Sequence, residues 1–274
     1  MRIVTTTSVF PPCWDSKTML RRLRDCGFYD LDLAFDFCVQ DPAYPFMTDR
    51  YEDWAKALAE DAASLGMRFT HSHAPFDADE RCDLIEKTLR CASILGIGST
   101  VVHPVAMDRE RVPYVGEEFL SVNVNAITPL LELAQKHNVV LLSENLLWGD
   151  SIKATAISNL VKEVNSPYFG WCYDTGHAHS RKDPIESLLA CEVAPLSLHL
   201  QDNFGAHDPH LIPGDGNLDF DRVFVCLKEI GYRGELVLEA HHQALDAPDD
   251  QRDDVLRRLY QRALWLKSRY AAVS

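Results

Sequence analysis

Acidic and imidazole side chains recur along this chain, each at the end of a short apolar run that is typical of a β-strand. The six positions are His73, His103, Glu144, Asp174, His199 and Glu239. Successive members lie 30, 41, 30, 25 and 40 residues apart, which is about the length of one strand and one helix. Burying so many ionisable groups together is costly unless something compensates their charge, and a divalent metal ion can do so. The pattern therefore predicts a metal-dependent enzyme.

Eight apolar runs predict the strands that position these side chains. They lie near Ile3–Thr6, Asp30–Ala34, Arg68–His71, Thr100–His103, Val139–Ser143, Gly170–Tyr173, Leu196–Leu200 and Glu235–Glu239. Amphipathic stretches alternate with the runs, which favours parallel βα units. Strand ends that are distant in sequence meet only if the strands close into a ring. We therefore predict an α/β fold, a single (β/α)8 TIM barrel of eight strands and eight helices over residues 1–274, with its site at the carboxyl ends of the strands.

Two helices and three loops complete this prediction. In Ala78–Leu95 the apolar residues Ile85, Leu89 and Ala92 share one face, and Asp253–Tyr270 shows the same periodicity. The longest irregular segments span residues 36–50, 106–116 and 202–217. All three follow strand ends, so we expect them to surround the site.

Charge and hydropathy limit the classes of partner. The chain has 274 residues, of which 46% are hydrophobic, and a formal charge of −14. That charge disfavours non-specific attraction to nucleic acid or to an anionic membrane. No apolar run approaches the length of about 18 residues that a membrane span needs. The N-terminal segment does not resemble a signal peptide, and the eight cysteines form no C-x-x-C pair, so a cytoplasmic location is expected.

Glu144 and Glu239 are carboxylates that end otherwise apolar strands. A lone glutamate at such a position is often explained by contact with water. Two of them on separate strands, with Asp174 and His199 between, favour a metal site. Oxygen and imidazole ligands together suit Mn, Mg, Co or Zn.

Other histidines offer further ligands or substrate contacts. His71 and His73 lie two residues apart, so both point to the same side of a strand. We expect His73, nearer the strand end, to be a ligand and His71 to be a core or supporting residue. His177 could bind the metal or the substrate. Asp208 and His210 could close over the same metal centre from their loop.

Six short motifs of this chain match those of a known protein family. The chain resembles the xylose-isomerase-like barrel superfamily, which contains sugar isomerases and epimerases, inosose-type dehydratases and the endonuclease IV repair enzymes. The motifs that carry the resemblance are, in chain order, HAPF (73–76), VVHP (101–104), SEN (143–145), DTGH (174–177), HLQDN (199–203) and LEA (238–240).

The sugar isomerases and epimerases of this superfamily hold one metal with a Glu, an Asp, a His and a second Glu. The resemblance assigns these ligands to Glu144, Asp174, His199 and Glu239. It also implies that the two glutamates act as acid and base, and that His177 contacts the substrate.

Further substrate contacts are predicted at His73, His103 and Trp148. Trp148, with Phe10 and Trp14, could stack on the apolar face of a sugar, or these aromatic residues could be rim packing.

Endonuclease IV adds ligands that hold three zinc ions. The matching positions here are His73, His103, His177, Asp208 and His210, so a polynuclear centre stays open. Three departures weigh against DNA repair. Pro209 lies where the repair enzymes usually carry arginine, the net charge is acidic, and residues 36–49 include no basic side chain. Nucleic acid is therefore an unexpected partner.

The sequence favours a metal-dependent isomerase or epimerase of a small sugar, keto-sugar or polyol derivative. The metal would polarise a carbonyl, one glutamate would remove the adjacent proton, and the other would return it through an enediolate. An unphosphorylated carbohydrate is the expected small-molecule partner, because no phosphate-binding glycine loop is evident, and a homo-oligomer is possible. The alternatives are a dehydratase or lyase, an endonuclease IV-like phosphodiester hydrolase acting on abasic DNA, and a non-catalytic binding barrel.

Overall fold

Eight parallel strands form a ring in the structure, a computed structural model that describes residues 1–12, 14–77, 82–147 and 152–273. The strands are β1 Ile3–Thr6, β2 Asp30–Ala34, β3 Arg68–Asp77, β4 Ser99–His103, β5 Val140–Glu144, β6 Phe169–Asp174, β7 Ser197–His199 and β8 Leu236–Leu238. Each strand pairs with its sequence neighbour, and β1 also pairs with β8. A parallel bridge between Leu200 and Leu238 joins β7 to β8 and closes the ring. The predicted (β/α)8 TIM barrel is confirmed.

Helices surround the ring. In the described residues they are α1 Ser16–Asp25, α2 Phe35–Cys38, α3 Tyr51–Ser64, α4 Cys82–Leu95, α5 Gly116–His137, α6 Ala154–Val164, α7 Thr175–Ser180, α8 Phe220–Glu229, α9 His242–Leu245 and α10 Asp249–Ala272. Short 3-10 helices occupy Thr7–Val9, Pro45–Met47 and Ile185–Ala190. None of the helices in these ranges is long and apolar enough to cross a membrane.

The helix pattern differs from the expected eight. Three short helices, α2, α7 and α9, begin at or just after strand ends, where the sequence indicated loops. Between β6 and β7 the outer layer holds the 3-10 helix Ile185–Ala190. Pro184 and Pro195 bracket this stretch, and proline does not continue a helix interior. The last helix begins four residues before its predicted start, since Pro248 precedes its first turn at Asp249.

The alternation of side chains along each strand carries the acids to the mouth of the barrel. Inside the ring, Val101, Leu142 and Cys172 form a small apolar cluster that is separate from the large core between strands and helices. Two residues further along their strands, on the same side, lie Glu144 and Asp174. The carboxyl ends of β5 and β6 therefore place both carboxylates above the apolar interior.

Candidate metal centre

Four side chains from four strand ends meet at one point. Glu144, Asp174, His199 and Glu239 each offer one donor atom, and these four atoms lie within 4.8 Å of one another. His199 Nδ1 lies 2.6 Å from Glu144 Oε1 and 3.2 Å from Glu239 Oε2. The structure thus brings together the four residues that the sequence proposed as metal ligands.

A second group shares Glu144 with the first. The Nε2 atoms of His73 and His103 are 3.1 Å apart. They lie 3.6 and 3.5 Å, respectively, from Glu144 Oε2. Glu144 therefore presents Oε1 to His199 and Oε2 to this histidine pair, which is how a carboxylate would bridge two ions.

A third group closes the opposite side of the cavity. Asp208 Oδ2 lies 3.1 Å from His177 Nε2 and 3.0 Å from His210 Nε2. The three donor atoms satisfy the same 4.8 Å limit as the first group. His210 adopts a left-handed backbone conformation with φ of 44°, which costs free energy for a residue other than glycine. That conformation lets its ring face both Asp208 and the end of β8.

Hydrogen bonds on the far side of three rings fix their tautomers. In each case Nδ1 lies within hydrogen-bond distance of a backbone carbonyl oxygen, to which it can only donate. The bonds join His73 to Ala74, His177 to Asn145 and His210 to Glu239, at 2.9, 3.0 and 2.9 Å. A neutral ring that donates from Nδ1 carries its lone pair on Nε2, so these lone pairs point into the cavity. Metal-binding histidines characteristically donate their other nitrogen in this way.

One carboxylate oxygen at the centre has no hydrogen-bond partner among the described residues. That oxygen is Asp174 Oδ2, which is buried, whereas Glu239 Oε2 faces His199 Nδ1 at 3.2 Å. Asp174 is fully buried and Glu144 is 1% exposed, so water does not solvate their charges. Burying unpartnered carboxylates together is unfavourable. A divalent cation would supply the missing partner, and the donor set fits one.

Without an ion, only protons can balance these charges. Burial alone would raise the pKa of the Glu144 carboxyl, but His199 and the hydrogen bond with His103 hold that pKa well below its usual range. Burial opposes protonation of His73, yet its hydrogen bond to Glu144 raises the pKa of the imidazole to about 9. Burial raises the pKa of Asp174 to about 7. Ion binding would replace the imidazole protons and release them.

The donors line a cavity of about 220 Å³ at the mouth of the barrel. Its walls comprise Thr6, Ser8, Asp36, His73, His103, Glu144, Leu146, His177, Asp208, His210, Glu239 and His241. His73, His103 and His177 line this cavity, and the donor groups also make them candidate ligands. Their contact with substrate stays a prediction.

Two supporting residues were missed by the sequence analysis. Asn145 donates from Nδ2 to the Asp174 carbonyl at 2.9 Å and accepts from the Asp174 amide at 2.8 Å. Gln201 donates from Nε2 to Asp208 Oδ1 at 2.6 Å and to Asp174 Oδ1 at 3.3 Å. Both lie within motifs of the sequence, SEN and HLQDN. Their roles depend on contacts between strands, which spacing along one strand does not reveal.

The remaining residues named in the sequence analysis are three aromatic side chains and His71. Trp148 lies outside the described residues, so its substrate contact stays a prediction. Phe10 and Trp14 do not line the cavity. Phe10 is 1% exposed, its ring centroid lies 5.2 Å from that of Trp14, and both rings lie beneath Arg22. These contacts favour the rim-packing alternative over stacking on a sugar for the two rings. His71 is partly buried beside the Thr70 hydroxyl, which agrees with a core or supporting residue, and burial lowers the pKa of its imidazole to about 3.

The ring of eight parallel strands carries carboxylates and imidazoles at the carboxyl ends of its strands. This is the end at which TIM-barrel enzymes have their active sites. The pattern of the xylose isomerase-like TIM barrel family matches residues 20–262, so the chain belongs to this family. An uncharacterized protein of Methanocaldococcus jannaschii is 30% identical over 186 residues, which are 61% of this chain and 62% of that protein. Inosose isomerase of Bacillus subtilis is 25% identical over 154 residues, which are 53% of this chain and 54% of that protein. The chain thus spans less than two thirds of each of these relatives.

Solved structures share the fold over the full length. A D-tagatose 3-epimerase-like protein superposes with a TM-score of 0.73 and 20% identity, covering 99% of this chain and 100% of that chain. The IolI protein, solved with a zinc atom, superposes with a TM-score of 0.78 and 18% identity, covering 98% of this chain and 99% of that chain. The predicted superfamily is confirmed. The named relatives include an inosose dehydratase, a ketose 3-epimerase and an inosose isomerase, which supports the prediction of an enzyme.

Proposed function

We propose that the chain is a divalent-metal-dependent isomerase or epimerase of a small sugar, keto-sugar or polyol derivative. The observation that carries the proposal is the placement of Glu144 and Glu239 on either side of His199, within one cluster of buried donors. The named relatives, an inosose isomerase and epimerase-like proteins, support the same class. Glu144, Asp174, His199 and Glu239 would hold Mn, Mg, Co or Zn.

The two glutamates give the site a base and an acid. A bound divalent ion would polarise a substrate carbonyl and lower the pKa of the adjacent C–H. Low pKa values keep Glu144 and Glu239 ionised, so either carboxylate can accept a proton. One carboxylate removes the proton from carbon. The other takes a proton from solvent water and delivers it to the neighbouring carbon or to the opposite face. His177 would orient a substrate hydroxyl, and the buried surroundings limit competing reactions with water.

Exchange of the carbon-bound substrate proton with solvent deuterium tests this proposal. A panel of keto-sugars and inososes would be incubated with the Mn-loaded or Mg-loaded protein, and deuterium incorporation and products would be followed by NMR. We expect exchange in the wild type and its loss in Glu144→Gln and in Glu239→Gln. Glu235→Gln is the matched control, because Glu235 immediately precedes β8 at the opposite end of the barrel, where it pairs with Arg2. Full exchange in either site variant would refute the two-glutamate mechanism, and product analysis would separate dehydration from isomerisation.

A second candidate is a phosphodiester hydrolase of the endonuclease IV type. The observation that favours it is the presence of three donor groups in one cavity. The charges separate the two candidates. The carboxylates of the site carry five negative charges when ionised, from Asp36, Glu144, Asp174, Asp208 and Glu239. One divalent ion would leave −3, which suits a neutral sugar better than an anion, whereas three would leave +1, which suits an anionic diester.

Ion stoichiometry distinguishes the candidates. Elemental analysis of the dialysed protein should give about one ion per chain if the sugar chemistry holds, and the double variant Asp208→Asn/His210→Gln should keep that ion. Three zinc ions per wild-type chain, with one lost in the double variant and nicking of abasic duplex DNA, would favour the hydrolase.

The cysteines bear on location. The described free thiols are those of Cys26, Cys38, Cys91, Cys172, Cys191 and Cys226. Reduced thiols are typical of the cytosol, which supports the proposed cytoplasmic location. Association into homo-oligomers stays a prediction.

A further inference from the structure

One wall of the cavity belongs to none of the three donor groups. It lies at the adjoining ends of β1, β2 and β8 and presents Thr6, Ser8, Asp36 and His241. We call these four residues the β1 wall. Any substrate whose reacting end meets Glu144 and Glu239 must rest its other end somewhere in this cavity, and the β1 wall offers polar partners for it.

Asp36 is the charged member of the wall. It stands in the first turn of α2, directly after β2. Its Oδ1 is buried and accepts no hydrogen bond from the described residues. An unpartnered buried carboxylate oxygen costs free energy, and that cost is recovered when a ligand donates to it. The wall therefore holds an acceptor that none of the described residues satisfies and that a ligand hydroxyl could satisfy in place of water.

The remaining members add complementary groups. The hydroxyl oxygens of Thr6 and Ser8 are 3.1 Å apart, so one hydroxyl donates to the other and the second keeps its proton for a ligand. His241 Nδ1 donates to the Glu239 carbonyl at 2.9 Å, which leaves a lone pair on Nε2. The wall thus combines a carboxylate, a ring-nitrogen acceptor and a hydroxyl donor.

This combination matches sugar hydroxyl groups, which donate and accept at the same time. It does not match a phosphate ester, whose oxygens only accept and whose negative charge would face Asp36 inside a buried cavity. We propose that the β1 wall binds the free hydroxyl groups at the non-reacting end of the substrate, and that the substrate class is therefore an unphosphorylated sugar or polyol derivative. The inference rests on the proposed function, because that function places the reacting end at the two glutamates.

Replacing one oxygen of Asp36 tests the wall. Asp36→Asn keeps the size of the side chain and removes its charge. Calorimetric titration of the Mn-loaded full chain with xylitol, an unreactive polyol, should show affinity reduced about 10-fold or more, because a hydrogen bond to a charged acceptor is lost. Ser8→Ala should reduce the affinity for xylitol a few-fold. Asp41→Asn, an exposed acid in the same connection between β2 and α3, should leave the affinity unchanged.

A second comparison uses D-ribulose and D-ribulose 5-phosphate. The wild type should bind D-ribulose at least about 10-fold more tightly, and Asp36→Asn should narrow that ratio. Xylitol affinity unchanged in Asp36→Asn, absence of xylitol binding to the wild type, or tighter binding of the phosphate ester by the wild type would each overturn the inference. If Asp36→Asn does not fold, Ser8→Ala and the wild-type ratio decide the question.

The two proposals fail separately. Asp36-dependent binding of xylitol without any C–H exchange on the sugar panel would retain the wall and reject the isomerase. Exchange that is equal on free and phosphorylated sugars, with Asp36→Asn unaltered, would retain the isomerase and reject the wall.

Discussion

Histidine orientation prepares the centre for a cation. His73, His177 and His210 each donate Nδ1–H to a backbone carbonyl and turn Nε2 to the cavity. The Nε2 atoms of His73 and His103 are 3.1 Å apart, a distance at which two lone pairs repel unless a proton or a cation lies between them. Rings held in this way need little rearrangement to bind an ion.

Asn145 provides a test at the scale of one residue. Its amide makes two hydrogen bonds with the backbone of Asp174, which fix the end of β6 beside that of β5. We expect Asn145→Ala to weaken divalent-ion binding about 10- to 100-fold, since the ligand carboxylate loses its support. Calorimetric titration with Mn measures this. The exposed helical residue Asn125 gives the control Asn125→Ala, and equal affinities in the two variants would refute the role of Asn145.

A single site residue could be predicted where an ionisable side chain stands at the end of an apolar run. Glu144, Asp174, His199 and Glu239 are ionisable groups at the ends of apolar runs, so the sequence alone indicated a shared centre. Asp36 was not identified as a site residue. It lies in the first turn of a short helix that the sequence indicated as loop, and a carboxylate there is ordinarily solvated. Only the packing of α2 against the barrel shows that its oxygen is buried.

Strand–helix junctions deliver the ligands. β6 ends at Asp174, whose Oδ1 caps the first turn of α7 by accepting from the His177 amide at 2.5 Å. A Cβ at Gly176 would lie 2.0 Å from the Gln201 side chain, so only glycine permits this close approach. The DTGH motif thus encodes a ligand, a tight contact and a second donor within one turn.

The loop after β7 depends on one buried carboxylate. Asp202 accepts from four backbone amides, those of Asn203, Gly214, Gly216 and Leu218, at 2.8 to 3.1 Å. Asp208 and His210 lie within this loop.

Asp202→Ala tests the loop as an element. Four backbone amides would lose their acceptor and a buried carboxylate would be removed, so we expect the free energy of unfolding to fall by about 3 kcal/mol, measured by urea denaturation. The exposed acid Asp53 gives the control Asp53→Ala, for which a change within about 0.5 kcal/mol is expected. Unaltered stability of Asp202→Ala would contradict the role assigned to this carboxylate.

Element boundaries were predictable from apolar periodicity only in part. β1 and β2 match their predicted limits. β7 and β8 are shorter than their apolar runs, since pairing at the closure of the ring involves only a few residues. Hydrogen bonding between neighbours, and not hydropathy, sets those ends.

The fold as a whole brings several carboxylates together at a buried site, where uncompensated negative charge is most unfavourable. The barrel closes through pairing of β8 with β1 and a bridge to β7, and this closure brings Glu144, Asp174 and Glu239 together. The chain carries −14 overall, so the surface offers little compensation. The alternation of strands and helices predicted the closed ring from sequence, and with it the convergence of groups some 170 positions apart.

Chelation should therefore lower the stability of the whole molecule. Binding to the folded state at a thousandfold excess over Kd stabilises by about 4 kcal/mol, so we expect EDTA to lower Tm by about 10 °C. Differential scanning calorimetry measures the shift. The Tm of the double variant Asp174→Asn/Glu239→Gln should not change when EDTA is added. A wild-type Tm that is the same with and without EDTA would contradict an ion at this site.

Anomalous diffraction from crystals grown with Mn tests the central claim most directly. The account predicts a strong peak at the barrel mouth, bonded to Glu144, Asp174, His199 and Glu239. A peak located elsewhere, or none from a Mn-saturated crystal, would contradict it.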